Sequence, residues 1–207
     1  MKVLIAGATG LIGTQVTAYC HNDNIVVHYL TTSKDKIEDT PNYKGFYWDP
    51  ANHEIDAAAF NEVTAIINLA GAPVSERWTK SYKQTILDSR VEGAGLIYET
   101  LKTIEHQVTH YISASGISIY PSHKTKLYHE DDDVVGNNFL AQVVVAWEQA
   151  ADQFTQLGLR VAKLRTGVVF SEKGGAFQKI KNPIEKGFGA PLGSGNQWVS
   201  WIHLQDV

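Results

Sequence analysis

Two short segments of this 207-residue chain carry residue types at spacings that could do chemistry. The first is "GATGLIG", which sets Gly7, Gly10 and Gly13 three apart, with Thr9, Leu11 and Ile12 between them, directly after an apolar run. A glycine at 7 permits a tight turn, one at 10 lets backbone approach a pyrophosphate, and one at 13 lets helix and strand pack closely. The N–H groups opening the next helix then face the phosphates. The second is "YPSHK", in which Tyr120 and Lys124 stand four apart. One helical turn apart, a lysine ammonium favours the ionised phenol and lets the tyrosine act as general acid or base. Pro121 biases Tyr120 away from helical geometry, so these two side chains are not expected to share a helix face. Ser113 and Ser115 in "SASGISIYP" end an apolar run, where serine commonly closes a turn. "HEDDD" (129–133) gathers carboxylates, yet a consecutive polar run in a loop reads as a solvated patch. The eight histidines and the single cysteine, Cys20, form no metal-ligand spacing, so no metal site is expected.

The elements that must position these residues alternate. Apolar, β-branched runs at 2–7, 24–30, 64–71, 109–115 and 159–167 read as strands buried on both faces. Helical patterns lie at 11–21, at 79–105 with Thr79 as N-cap, and at 138–157 with Gly158 as stop. This alternation predicts an α/β fold, a Rossmann-type doubly wound parallel sheet. The polar stretch 121–138 reads as a long loop. After 167 glycine becomes dense, with a short helix at 175–186 and a strand at 198–203. The pattern therefore divides the chain into a doubly wound domain, 1–167, and a differently built segment, 168–207.

Composition narrows the partners. With 43% hydrophobic and 19% charged residues, net charge −4 and scattered lysines, neither nucleic acid nor an anionic membrane is the default partner. A lone cysteine and the lack of any signal-peptide core or bilayer-spanning run fit a cytoplasmic protein.

The end of the second strand bears on the cofactor. An NAD-selective site usually carries an acid there for the ribose 2′-hydroxyl. This chain reads "YLTTSKDK", with Thr32, Ser33 and Lys34 before the first acid, Asp35. Hydroxyls and a lysine suit a 2′-phosphate, so NADP is favoured and NAD remains possible. The competing reading makes Lys34 a solvated surface residue.

With the glycine loop in place, several motifs carry a resemblance: "WDP" (48–50), "INLAGAPV" (67–74), "RWTKSYKQTILDSRV" (77–91), "FLAQVVVAWEQAA" (139–151), "LRTGVVFSEKGGA" (164–176) and "PLGSGNQWVSWIHLQDV" (191–207). The chain resembles the atypical, "epimerase family protein" branch of the extended short-chain dehydrogenase/reductases, which are NAD(P)-dependent nucleoside-sugar epimerase- and dehydratase-like proteins. Members of that branch run further into a C-terminal lobe that closes over substrate, so the resemblance implies an NAD(P)-binding domain at 1–167, the start of a substrate lobe at 168–207, and a truncated chain. It also implies a Tyr and a Lys on the active-site helix, yet the corresponding places fall near Leu140 and Val144, which can neither transfer a proton nor hold a ribose hydroxyl. By resemblance Ser115 meets a substrate oxygen and Ser113 lies nearer the cofactor. Asn68, Ala70 and Gly71 line the cofactor, Arg165 and Thr166 lie near nicotinamide and substrate, and Tyr120 at the cleft mouth serves as a displaced acid. Plain strand-end turns for Asn68 and Ser115, an ordinary packed aromatic for Tyr120 and a structural ion pair for Arg165 stay open beside these. Homodimers are implied through the helices at 79–105 and 138–157. Two functions follow: an NADP(H)-binding oxidoreductase or epimerase-like enzyme acting on a small carbonyl- or hydroxyl-bearing substrate, or a non-catalytic NADP(H)-sensing or scaffold protein.

Overall fold

The first strand is apolar on both sides because both sides are covered. In the computed structural model, which describes residues 1–191 and 193–207, Lys2–Ala6 (β1) sends Val3 and Ile5 into one cluster with Val27, Tyr29, Ala65 and Cys20. Leu4 and Ala6 point the other way, into a larger cluster with Leu30, Ile66, Ala94, Ile97 and Phe154. Alternate side chains of a strand leave opposite faces, so a run without polar residues needs helices on both. Leu11–Asn22 (α1) covers the first face, and Lys80–Thr103 (α2) with Phe139–Asp152 (α3) covers the second.

The remaining strands are Val26–Thr31 (β2), Asp39–Thr40 (β3), Tyr43–Asp49 (β4), Glu54–Ile55 (β5), Ala65–Asn68 (β6), His110–Gly116 (β7) and Arg160–Thr166 (β8). Among the described residues they form an eight-stranded sheet in the order β3-β4-β2-β1-β6-β7-β8, with β5 paired to β4. β4, β2, β1, β6, β7 and β8 run parallel. The chain thus winds outward from β1 through β2 to β4, then returns to β6 on the other side. Ligand crevices of doubly wound sheets open at this reversal, between β1 and β6, at the carboxyl ends of the strands.

The expected strands omit β4, whose apolar run is broken by Lys44 and Gly45. The glycine is required by packing: a Cβ there would lie 2.5 Å from Tyr29 Cζ. Thr79 caps α2 by accepting the Tyr82 N–H at 3.1 Å, and Asn138 caps α3 by accepting that of Ala141 at 3.0 Å. After α3 the chain turns at Gly158, φ +76°. Residues 121–138 contain neither helix nor strand. From Val168 a second sheet begins, Val168–Ser171 (β9) flanked by Gly174–Gly175 (β10) and Trp201–His203 (β11), followed after β10 by Ala176–Glu185 (α4). The strand expected at 198–203 is therefore its last three residues, and Leu192 of the quoted segment 191–207 lies outside the described residues.

One titratable group sits inside this frame. His28 of β2 is buried and its Nδ1–H donates to the Ala59 carbonyl at 2.8 Å. Burial lowers its pKa; the Ala59 bond opposes this, and Lys2 and Lys44 add to it. A histidine held neutral on folding contributes fully above its unfolded pKa of about 6.5, and that contribution is lost as pH falls below it. Thermal melts from pH 7 to 5 are expected to show a falling Tm in the native chain and a flatter limb in His28→Gln; equal slopes would place the titration elsewhere.

Candidate functional site

The glycine loop sits at the reversal. Gly7 follows β1 with φ +86°, a region that strains other residues, and a Cβ there would come within 3.0 Å of the Leu69 backbone. The Gly10 N–H returns to the Gly7 carbonyl at 3.0 Å, and Thr14 N–H is bonded to Gly10 O at 2.9 Å. The N–H groups of Leu11, Ile12 and Gly13 open α1, where no preceding carbonyl of the helix can accept them. Gly10 supplies no capping side chain and the helix's own first turn holds no acid, so neither neutralises this positive helix end. Gly13 is held by packing: its Cβ would sit 2.1 Å from Gly7 O. Side chains here face elsewhere: Ile12 lines a small apolar groove with Val16, Cys20 and Leu204, and Leu11 packs toward Gly175.

Beside this turn lies a cavity of about 620 Å³. Gly7 and Thr9 border it from β1, Thr31, Thr32 and Ser33 from β2, Ala70 and Gly71 from β6, and Asp49, Pro50 and Ala51 from the end of β4. Two lysines follow Ser33, and it is Lys36 that borders the cavity, whereas Lys34 Nζ rests 4.7 Å from the centroid of the Tyr47 ring. The wall from α2, including Asp88, Ser89 and Glu92, had no signal in the sequence, because only the packing of α2 turns that face toward β6. The next residue, Arg90, lies flat against Gly71, whose missing Cβ would be 2.9 Å from the guanidinium carbon. Ser89 Oγ accepts the Ala72 N–H at 2.9 Å and Arg90 Nη1 donates to the Ala72 carbonyl at 3.3 Å, fixing the turn after β6 from both sides. Asn68 is buried and turned inward. Its Nδ2 donates to the Tyr111 hydroxyl at 2.8 Å, and its Oδ1 accepts the Ala70 N–H at 3.1 Å. It shapes the turn and does not border the cavity.

Farther along the carboxyl edge, register sets Ser113 opposite Asn68, Ser115 opposite Arg165 and Gly116 opposite Thr166. Ser113 Oγ donates to the Ala114 carbonyl at 2.9 Å. Ser115 and Arg165 converge on a residue the sequence reading did not single out, Glu148 of α3, and Tyr120 joins them through Arg165. Ser115 Oγ donates to Glu148 Oε1 at 2.6 Å; Arg165 Nε donates to the same oxygen at 2.7 Å and Nη2 to Oε2 at 2.8 Å. Arg165 Nη1 donates to the Tyr120 hydroxyl at 2.6 Å and to the Glu130 carbonyl at 3.2 Å, and Tyr120 donates onward to the His129 carbonyl at 2.8 Å. Burial pushes the Glu148 carboxyl up, but hydrogen bonds from Arg165 and Ser115 outweigh it, and its pKa is lowered. The bond to Glu148 is the chief cause that raises Arg165. Tyr120 has extended backbone, φ −82° and ψ 147°, so Tyr120 and Lys124 share no helix face, as Pro121 implies. Glu148 stands four residues after Val144 and eight after Leu140, so the three lie along one side of α3, but that spacing does not show which partners meet it.

With this geometry in view, known proteins can be compared. Residues 3–207 match the model of the NAD dependent epimerase/dehydratase family, and the chain belongs to that family. It is 37% identical over 205 residues to an epimerase family protein of Staphylococcus saprophyticus, covering 99% of this chain and 67% of that protein. Among solved structures, the human epimerase family protein SDR39U1 (isoform 2) with NADPH superposes at a TM-score of 0.81 with 28% identity, covering 100% of this chain and 67% of the human one. A nucleoside-diphosphate sugar epimerase from Corynebacterium glutamicum gives 0.82 and 29%, covering 100% and 41%. Among the described residues, no helix is long and apolar enough to cross a membrane.

The two loop glycines should separate in mutagenesis. Gly13→Ala drives a Cβ into backbone and is expected to destabilise the chain by about 3 kcal/mol or more in urea unfolding. Gly10→Ala meets only Gly7 O at 3.3 Å and should stay near native stability. Equal losses would contradict the assignment of close backbone packing to Gly13 and not to Gly10.

Proposed function

We propose that this chain is an NADP(H)-binding oxidoreductase or epimerase-like enzyme acting on a small carbonyl- or hydroxyl-bearing molecule, with residues 1–167 holding the cofactor and 168–207 beginning the substrate lobe. The observation that carries the reading is the glycine turn and uncapped helix start beside the cavity at the β1–β6 reversal. The donor set fits a dinucleotide: the N–H groups of Leu11, Ile12 and Gly13 would hold the pyrophosphate. Thr32, Ser33 and Lys36 would take a ribose 2′-phosphate, and Asp49 to Ala51 with Ala70 and Gly71 would enclose the rest. The likeness to a human protein solved with NADPH supports the same cofactor. When bound, the nicotinamide supplies or removes a hydride. Ser115 orients the substrate oxygen, and Tyr120 exchanges the proton in place of the pair that Leu140 and Val144 lack.

A second reading, a cofactor sensor without turnover, is favoured by one specific observation. Both candidate hydroxyls are hydrogen-bonded within the protein, Ser115 to Glu148 and Tyr120 to the His129 carbonyl. The two readings part on Ser115→Ala. Loss of turnover with unchanged nucleotide binding marks the enzyme, whereas a sensor shows binding alone in both proteins.

Calorimetric titration with NADPH and NADH tests the shared part. NADPH is expected to bind at least about tenfold more tightly, and Lys36→Met to remove that advantage while leaving NADH unchanged, since a bond to a charged group contributes about 1.5–3 kcal/mol. Lys34→Met should change little. Equal affinities in the native chain would sink the phosphate preference, and binding of neither by a folded chain would sink the cofactor itself.

A further inference from the structure

The network around Glu148 assigns donors and acceptors unequally. Ser115 has one hydroxyl proton, and it lies on a carboxylate that Arg165 holds ionised with two further bonds. A hydroxyl committed to a buried carboxylate offers a ligand its lone pairs, not its proton. Tyr120 differs. Its oxygen accepts from the Arg165 guanidinium, while its proton lies on a neutral backbone carbonyl that belongs to the loop 121–138. Of the two hydroxyls, Tyr120 has the proton that is cheaper to redirect. Arg165 has little left with which to grip a substrate anion: four of its five N–H groups are used, Nε and one of Nη2 by Glu148 and both of Nη1 by Tyr120 and the Glu130 carbonyl. Its guanidinium carbon also lies 5.3 Å from the Tyr120 ring centroid, and Tyr128 stacks on the same ring at 5.2 Å, so the phenol is held from two sides.

We infer that Tyr120 and Arg165 form the proton-donating pair of this site, with strand β8 supplying the cation that the active-site helix lacks, and that Glu148 is the positioning residue for both Arg165 and Ser115. The inference rests on the proposed oxidoreductase or epimerase-like function. In the reducing direction the reduced nicotinamide, when bound, would supply the hydride for the substrate carbonyl carbon, leaving this chain to supply the proton. The Tyr120 O–H bond breaks and a new O–H bond forms on the substrate oxygen. The phenolate left behind keeps the Arg165 Nη1–H as its donor until a proton returns from water. Ser115 accepts a hydrogen bond from the alcohol so formed. For this the substrate oxygen replaces the His129 carbonyl as the acceptor of the Tyr120 proton. Arg165 is suited to the role because it stays charged at any working pH, and its planar fork meets Glu148 with two nitrogens while a third reaches Tyr120.

Nitration of the full chain by tetranitromethane, mapped by mass spectrometry, tests the pair without a known substrate, because the reagent attacks the ionised phenol. Tyr19, exposed on α1, is the internal reference. Relative to Tyr19, nitration of Tyr120 should slow in Arg165→Met, which takes the charged donor from the phenol oxygen. It should slow also in Glu148→Gln, and recover only in part in Arg165→Lys, whose single ammonium cannot hold Glu148 by two nitrogens and reach Tyr120 as well. A purely structural Arg165 predicts the opposite sign: its loss would loosen the 121–138 loop and speed nitration of Tyr120. Unchanged or faster nitration in Arg165→Met therefore overturns the inference. NADPH titration of the same variants separates the two levels: slowed nitration in proteins that bind no NADPH upholds the pair's chemistry and overturns the proposed function.

Discussion

β1 is buried on both faces, and the rest of the molecule is arranged around that constraint. A strand with apolar side chains in both directions must have a helix layer above and another below, and it must have a neighbour on each edge to pair its backbone. The chain meets these demands by winding outward to β4 and then crossing back to β6. The crossing leaves a crevice where the turns after β1 and β6 diverge, and the glycine loop falls there because it is the turn that follows β1. Gly13 then decides how close α1 can come: with a Cβ 2.1 Å from Gly7 O excluded, the helix start is pressed against the turn. The position of the anion-attracting N–H groups is thus a consequence of core packing.

The second organising feature is electrostatic. Burying the Glu148 carboxylate costs several kcal/mol, while Arg165 stays partly exposed, and such a pair is sustained only with good geometry and satisfied remaining groups. Here both conditions hold: two parallel N–H bonds join the pair, Ser115 adds a third bond to the carboxylate, and Tyr120 takes the guanidinium's outer nitrogen. Lys163 lies 3.8 Å from the same carboxylate and 2.7 Å from Asp152. The ends of β7 and β8, the side of α3 and the start of the long polar loop are thereby fixed relative to one another by charge, in a region where Leu140 and Val144 provide only apolar packing.

Polar contacts also tie the second sheet region to the first. Lys179 of α4 donates to Ser75 in the segment after β6, Lys173 reaches Gln15 of α1, and the Trp198 indole donates to the Lys124 carbonyl. Each joins the region after Val168 to a border of the crevice or of the polar loop. Such exposed bonds contribute little individually, and their effect is to orient the region.

The sequence by itself determined what local patterns encode. The central strands and three long helices follow from apolar periodicity, one N-cap from Thr79, and the tight turn after β1 from three glycines at one spacing. The departure of Tyr120 and Lys124 from helical geometry follows from Pro121. These are short-range effects of backbone sterics and side-chain alternation, so neighbouring residues suffice to state them. The tertiary structure alone decided what long-range packing controls. β4 is recognisable as a strand only once Tyr29 is seen to need the space at Gly45. Asn68 turns inward because Tyr111 stands beneath it, and Lys36 instead of Lys34 borders the cavity because Tyr47 takes the other. Glu148 became the centre of the site because β7, β8 and α3 bring Ser115, Arg165 and a carboxylate together from 33 and 17 residues away. Charge pairing over such separations depends on the fold, and no local pattern records it.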